Sequence, residues 1–242
     1  MAYTDAPAKS TLQARARPVS DAEWQQIPWV ASLTAQEADE ARATLRISQA
    51  MPGDVICRVG RKANYWFGLF EGLLKMSNDD SRGPMMTFTG VAAGGWFGEG
   101  TLIKRETYRY NVQAIRKSLV AGVPIDTFLW LLDNSIGFNR YIIMQLNERL
   151  GQFIAAREID RIGDPDTKVA RTLAALFNPV LYPSADRYLR ITQQELAYLV
   201  GLSRQRVNLA LSALQEAGAI EVAYGGVRVM DLGRLRRVGT SV

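Results

Sequence analysis

The stretch RITQQELAYLVGLSRQRVNLALSALQEAGAIEVAYGGVRVMD, residues 190–231, decides the architecture of the last third of the chain. Thr192 followed three residues later by Glu195 is a capping box, so a helix starts at Thr192. Gly201 ends it, because glycine enters the left-handed region without steric cost. Ser203 is placed to cap a second helix that runs to about Gln215, before Gly218. Two short runs, Ile220 to Ala223 and Val227 to Met230, then flank Gly225-Gly226 and read as two strands. Two short helices joined by a glycine-containing turn and followed by two strands make a winged helix-turn-helix.

Helical periodicity sorts the second of these helices into two sides. Val207, Ala210, Leu211 and Leu214 fall on one arc and face the domain's own core. Gln205, Asn208, Leu209, Ser212 and Glu216 fall opposite, with Arg204 and Arg206 flanking the first turn. Arg is suited to guanine and Gln or Asn to adenine, and Leu209 is an odd surface residue except beside a thymine methyl. Nearby helix starts hold phosphates. The candidate DNA contacts are therefore Thr192, Gln193, Ser203, Arg204, Gln205, Arg206, Asn208 and Leu209. Any small helical hairpin also has a polar outer face, so the weight lies in the agreement of capping box, turn, wing and charge. From Pro165 onward ten Lys/Arg stand against six Asp/Glu, which places four of the five net positive charges in this third. Such a basic segment fits a polyanionic partner.

Upstream, Ile136, Asn139, Ile143, Leu146, Leu150 and Phe153 recur at steps of three and four and continue to Arg157 and Asp160. The row is the seam of a long helix that either pairs with a copy of itself or lies on its own neighbouring domain. Gly163 to Pro165 ends the helix and marks a hinge. Before it, between Ile47 and Ala121, short strands alternate with glycine turns at Gly60, Glu71-Gly72 and Gly94-Gly95, as in a compact β-roll. Tyr65, Trp66, Phe67 and Phe70 sit on one of these strands as core or as a stacking surface. The opening residues are small and polar with no apolar leader segment, which predicts a flexible arm and a cytoplasmic location.

The expected organisation is an α+β protein: a flexible arm over 1–27, a β-roll effector-sensing domain over 28–132, a central dimerisation helix over 133–163 and a winged helix-turn-helix over 164–242. With one cysteine, Cys57, and no histidine, the 242 residues exclude structural disulfides, Cys/His zinc sites, His-ligated haem and Cys/His or Ser/His/Asp catalysis. No catalytic constellation stands out and the chain is read as no enzyme. No metal is expected, and no apolar run of membrane-spanning length occurs.

The order of roll, seam helix and winged helix-turn-helix, with PGDVICRVG, GGWFGEGTL and ITQQELAYLVGLSRQRVNLALSALQEAGAI, resembles the CRP/FNR family of bacterial transcription regulators over residues 28–232. The resemblance implies a homodimer on a pseudo-palindromic double-stranded DNA site, an effector bound to the roll, and RNA polymerase as a candidate further partner. The residues that read the operator in the family's best-known member correspond to Arg204, Gln205 and Leu209, and two of the three differ in type. In members that bind cyclic AMP, a segment like Phe97-Gly98-Glu99 starts a short helix at the cyclic phosphate, and the Glu takes a ribose hydroxyl.

By the same resemblance Gly98, Glu99, Gly100, Tyr108 and Arg109 are the candidate effector residues. Keeping the strand phase of Val112 and Ala114 puts Tyr108 where the family's phosphate-gripping Arg belongs and Arg109 where its Ser belongs. Sliding by one residue restores Arg109 to the phosphate but reverses the strand's faces unless a bulge intervenes. The family's adenine-contacting Thr-Ser pair falls on Phe153 and Ile154, which donate no hydrogen bond. Cyclic AMP, another cyclic nucleotide or dinucleotide, an unrelated small effector and no effector all stay open, as does a purely structural Glu99. A nucleotide-sensing module that docks on a protein instead of DNA is the alternative to a DNA-binding regulator.

Overall fold

The computed structural model describes residues 12–78, 86–183 and 188–239, with side chains in the central helix described as far as Arg157. From the N-terminus the elements are β1 (Arg17–Pro18), α1 (Asp21–Trp24), α2 (Ala35–Thr44), β2 (Arg46–Ala50), β3 (Val55–Cys57), β4 (Tyr65–Glu71), β5 (Leu74–Asn78) and β6 (Met86–Val91). There follow β7 (Trp96–Phe97), α3 (Glu99–Ile103), β8 (Asn111–Ala114), β9 (Ser118–Pro124), α4 (Ile125–Asn134), α5 (Ile136–Ile162) and α6 (Pro165–Ala175). The last elements are β10 (Tyr188–Leu189), α7 (Gln193–Val200), α8 (Arg204–Glu216), β11 (Ile220–Ala223), β12 (Gly226–Val229) and α9 (Leu232–Arg237).

The roll is two antiparallel sheets, a five-stranded one in the order β1-β2-β9-β4-β7 and a four-stranded one in the order β3-β8-β5-β6. Trp66 and Leu69 of β4, Leu74 and Met76 of β5, and Val112 and Ala114 of β8 are buried in one core. Trp66 is core, and Phe67 and Phe70 pack partly buried against it. Burial also inactivates the one thiol: desolvation pushes Cys57 up to about 12.

Residues 12–27, expected within a flexible arm, are instead built onto the roll, while residues 1–11 lie outside the described residues. Arg17 pairs with Ile47 and Pro18 with Arg46 at the edge of the sheet. Ser20 and Glu23 form a capping box at α1, and Val19, Trp24 and Ile27 are buried. These apolar residues are isolated and follow no strand or helix period, so pattern reading passes over them. Arg17 holds Glu23 through contacts of 2.5 and 2.8 Å, and this pairing draws the carboxyl down to about 2.

Ser135 caps α5 by accepting from the Phe138 amide at 3.2 Å. Near its start α5 passes so close to the turn Pro28–Ser32 that a Cβ at Gly137 would collide with the Ser32 carbonyl oxygen. That approach lets Phe138 enter an aromatic cluster in which the Trp29 ring lies 5.4 Å from Trp66, 5.3 Å from Trp96 and 5.5 Å from Phe138. Gly163, left-handed at φ 68°, ends α5, and Asp164 caps α6 with Pro165 at the first helical position.

The C-terminal unit rests on the β5–β6 hairpin. The buried Tyr182 hydroxyl donates to the Gly90 carbonyl at 3.0 Å, and Arg116 pairs with Glu195 of α7 at 2.7 Å. Lys75, fully buried on β5, places its Nζ 3.9 Å from the centre of the Tyr198 ring. Among the described residues no helix is long and apolar enough to cross a membrane.

The depressed Glu23 pKa makes the docked N-terminal segment a pH-dependent contribution. Its stabilisation is present above the unfolded value of 4.5 and is lost as pH falls through about 2. Urea unfolding of wild type and Glu23→Gln should therefore show a midpoint deficit in the variant near neutral pH that closes progressively below the unfolded value. A deficit independent of pH would contradict this account.

Candidate functional site: nucleic-acid interface and effector cavity

Thr192 caps α7 by accepting from the Glu195 amide at 3.2 Å, and Glu195 accepts from the Thr192 amide at 2.7 Å. Gly201 at φ 67° turns the chain, and Ser203 caps α8 by accepting from the Arg206 amide at 3.2 Å. Val207, Ala210, Leu211 and Leu214 are buried, so the opposite side of α8 faces outward. Arg204, Gln205, Asn208 and Leu209 lie on that open side, with Leu209 58% exposed. Gln193 Nε2 donates to Asn208 Oδ1 at 2.7 Å, which ties the two helices and orients the Asn208 amide. Arg206 departs from the expected set. Its guanidinium turns back onto α6, 2.7 Å from Asp166, because a flanking position on the first turn of α8 faces that helix.

The wing is the three-stranded sheet β10-β12-β11. It is fastened to α8 where the Val222 amide donates to Gln215 Oε1 at 2.7 Å. At its tip Tyr224 is fully exposed, and the Tyr188 hydroxyl donates to the Tyr224 carbonyl at 2.9 Å.

The effector candidates gather around a cavity of about 1210 Å³ between the roll, α5 and α6. Gly98, left-handed at φ 100°, caps α3, which is five residues long. Gly98, Glu99, Gly100 and Arg109 line the cavity. Arg109 also pairs with Glu106 at 3.1 Å. Tyr108 does not join them. It is 4% exposed within the core, where its hydroxyl donates to the Tyr65 carbonyl at 3.1 Å. Val112 and Ala114 keep the expected strand phase and are buried, so the one-residue slide does not occur. Burial raises the Tyr108 pKa, and the phenol stays neutral.

Arg149, which the sequence reading missed, reaches into the site from α5. Its Nε donates to Glu99 Oε1 at 3.1 Å and its Nη2 to the Trp96 carbonyl at 2.6 Å. Desolvation opposes its charge, but Glu99, Tyr182 and Tyr110 together hold its pKa above the ordinary value. Glu99 Oε2 and Arg149 Nη1 are buried without a hydrogen-bond partner. A signal was available: Gln145, Arg149 and Gln152 follow one another at steps of four and three. That is a polar stripe beside the apolar seam.

Residues 167–238 match the Crp-like helix-turn-helix domain family, and residues 48–135 match the cyclic nucleotide-binding domain family. Over 181 residues, 74% of this chain and 89% of the relative, the sequence is 26% identical to the transcriptional regulator LdrP of Thermus thermophilus. It is 25% identical over 176 residues to the cAMP-activated global transcriptional regulator CRP of Pasteurella multocida, covering 70% of this chain and 82% of that protein. The fold superposes on TTHA1359, a CRP/FNR family regulator of Thermus thermophilus, with TM-score 0.54 and 24% identity, covering 81% of this chain and 98% of that one.

The chain belongs to the CRP/FNR family. It is a DNA-binding transcription regulator and not an enzyme. Its cyclic nucleotide-binding domain gives this CRP/FNR regulator a place for a small-molecule effector. Within that domain Tyr108 is sealed in the core, and on α5, beyond residue 135, Phe153 and Ile154 carry no polar side-chain atom. Glu99 has a protein partner of its own in Arg149.

A buried ion pair is most costly when one partner is removed. Glu99→Leu alone should destabilise the protein by about 3–5 kcal/mol, and adding Arg149→Met should recover a large part of that loss. Urea denaturation of both variants and the double variant measures the coupling. Simple additivity would show that the two groups do not act as a pair.

Proposed function

We propose that this regulator acts as a homodimer in the cytoplasm, binding a pseudo-palindromic DNA site through α8 of each copy and responding to a small effector held beside Glu99. The observation that carries the reading is the exposed aliphatic row on α5. Ile136 is 73% exposed, Ile143 63%, Leu150 59% and Ile154 56%. A continuous apolar stripe at coiled-coil spacing is costly in water and favours a second copy. Two copies related by a two-fold axis would set their α8 helices about 34–36 Å apart, one DNA turn, which accounts for the expected symmetry of the site.

On each half-site Arg204, Gln205, Asn208 and Leu209 would read base edges, and Thr192, Gln193 and Ser203 would meet phosphates at the two helix starts. Arg206 would assist only by leaving Asp166. RNA polymerase is a further partner open to a regulator so placed.

Fluorescence anisotropy with genomic fragments tests the DNA reading. Affinity should fall steeply with added salt. Arg204→Ala should weaken operator binding by about 1–3 kcal/mol. An equal loss on random DNA would assign Arg204 to phosphate. No binding at low salt would favour docking on a protein instead. For the dimer, sedimentation velocity should show two copies in wild type and a single copy in Ile143→Glu/Leu150→Glu, with operator affinity lost in parallel. A wild type that sediments as a monomer at micromolar concentration would overturn the assembly.

A further inference from the structure

Asn208 is an outward side chain of α8 whose amide is already committed before DNA arrives. Its Oδ1 accepts from Gln193 Nε2 at 2.7 Å, a bond between the two helices of the hairpin. Arg204 and Gln205, one turn earlier on the same face, make no side-chain hydrogen bond or ion pair among the described residues. They keep their rotamer freedom, whereas Asn208 is held. The holder is itself fixed. Gln193 is the first residue of α7, in a turn closed by the Thr192–Glu195 capping box and tied to the roll where Arg116 meets Glu195 at 2.7 Å.

A tethered amide does not read DNA as a free one does. A free asparagine offers an acceptor, Oδ1, and a two-proton donor, Nδ2, and turns about its last side-chain bond to present them in either order. Its bidentate contact with adenine uses both atoms on one edge, with Nδ2 donating to N7 and Oδ1 accepting from N6. In this protein Oδ1 is drawn toward α7 and so away from that edge, while Nδ2 keeps both protons with no acceptor among the described residues. What remains for a base is a donor. Guanine answers it with N7 and O6, and thymine with O4. Adenine N7 also accepts, but the neighbouring N6 amino group would then face the site without an acceptor, and cytosine offers only a donor.

We infer that Gln193 sets the base specificity of Asn208: by holding Oδ1 it makes Asn208 select a keto base, guanine or thymine, in place of the adenine that an unrestrained asparagine favours. Gln193 is a positioning residue in this role, acting on the base through Asn208 and keeping its second Nε2 proton for the phosphate at the start of α7. The inference rests on the DNA reading above and adds the chemistry of one base in each half-site. Because Gln193 belongs to α7, that choice depends on how α7 seats against α8 and not on α8 alone.

Site selection from a random duplex library with the full-length protein tests the assignment. The position governed by Asn208 is the one whose base preference disappears in Asn208→Ala. Anisotropy is then read on four duplexes that differ only there and at its symmetry mate. Wild type should favour guanine or thymine over adenine by about fivefold or more. Gln193→Ala should bring adenine to within about twofold of the keto base. Gln193→Glu should reverse the order, because a carboxylate only accepts: it would take Nδ2 and turn Oδ1 toward the amino groups of adenine or cytosine. Gln193 lies outside the buried core, and each preference is a ratio within one preparation, so a uniform loss of affinity leaves the readout intact. Adenine preferred by wild type, an order unchanged in Gln193→Glu, or no position that responds to Asn208→Ala would each overturn the inference while DNA binding persists. Wild type that binds no duplex at low salt would instead overturn the DNA reading, and the inference with it.

Discussion

Helix α5 has to satisfy several neighbours at once, and the helical spacing of its side chains is the constraint on which the rest of the molecule depends. Phe138, Ile142, Gln145 and Arg149 descend one side at steps of four and three. Phe138 enters the tryptophan cluster. Gln145 donates to the Val180 carbonyl at 2.8 Å and so holds the segment after α6. Arg149 then reaches Glu99 and the Trp96 carbonyl. A neighbouring stripe, Ile136, Ile143, Leu150 and Ile154, is left in solvent. A change of register by one residue would turn polar groups into the aromatic core and break both arrangements.

The Glu99–Arg149 pair is poorly explained as a source of stability. Desolvating two charges consumes much of their attraction, and an apolar pair of similar volume is often as stable. Its consequence is geometric. Glu99 begins α3 and Arg149 belongs to α5, so a group that competes for either is felt where the roll meets the long helix. An effector needs such a place if binding is to alter anything beyond its own contacts.

The seating of the DNA-binding unit follows the same logic. Glu195 Oε2 accepts both from the Thr192 amide, closing the capping box, and from Arg116 of the roll. The start of α7, beside Gln193 and its partner Asn208, is therefore tied to the roll by the same carboxylate that forms the helix cap. The fully buried Lys75 of β5 also meets α7, with its Nζ over the face of the Tyr198 ring.

Local rules made much of this legible. The capping box at Thr192, the glycine at 201 and the serine cap at 203 are satisfied by groups within three or four residues, so α7 and α8 fall where the sequence places them. The outward set on α8 follows from helical period alone, apart from Arg206, whose partner Asp166 is distant in sequence. Docking of residues 12–27 and removal of Tyr108 from the candidate effector residues were not legible. Val19, Trp24 and Ile27 find their neighbours only after the strands have paired, and the Tyr108 hydroxyl meets a carbonyl of β4. Sequence by itself determined α7, α8 and the cap of each, because those depend on near neighbours and on period, while the family followed from the resemblance of whole motifs. Only the tertiary structure decided that Glu99 faces Arg149 and that cations of α6 and α9 wall the same cavity, because such contacts join residues far apart in the chain and no local pattern encodes a distance between them.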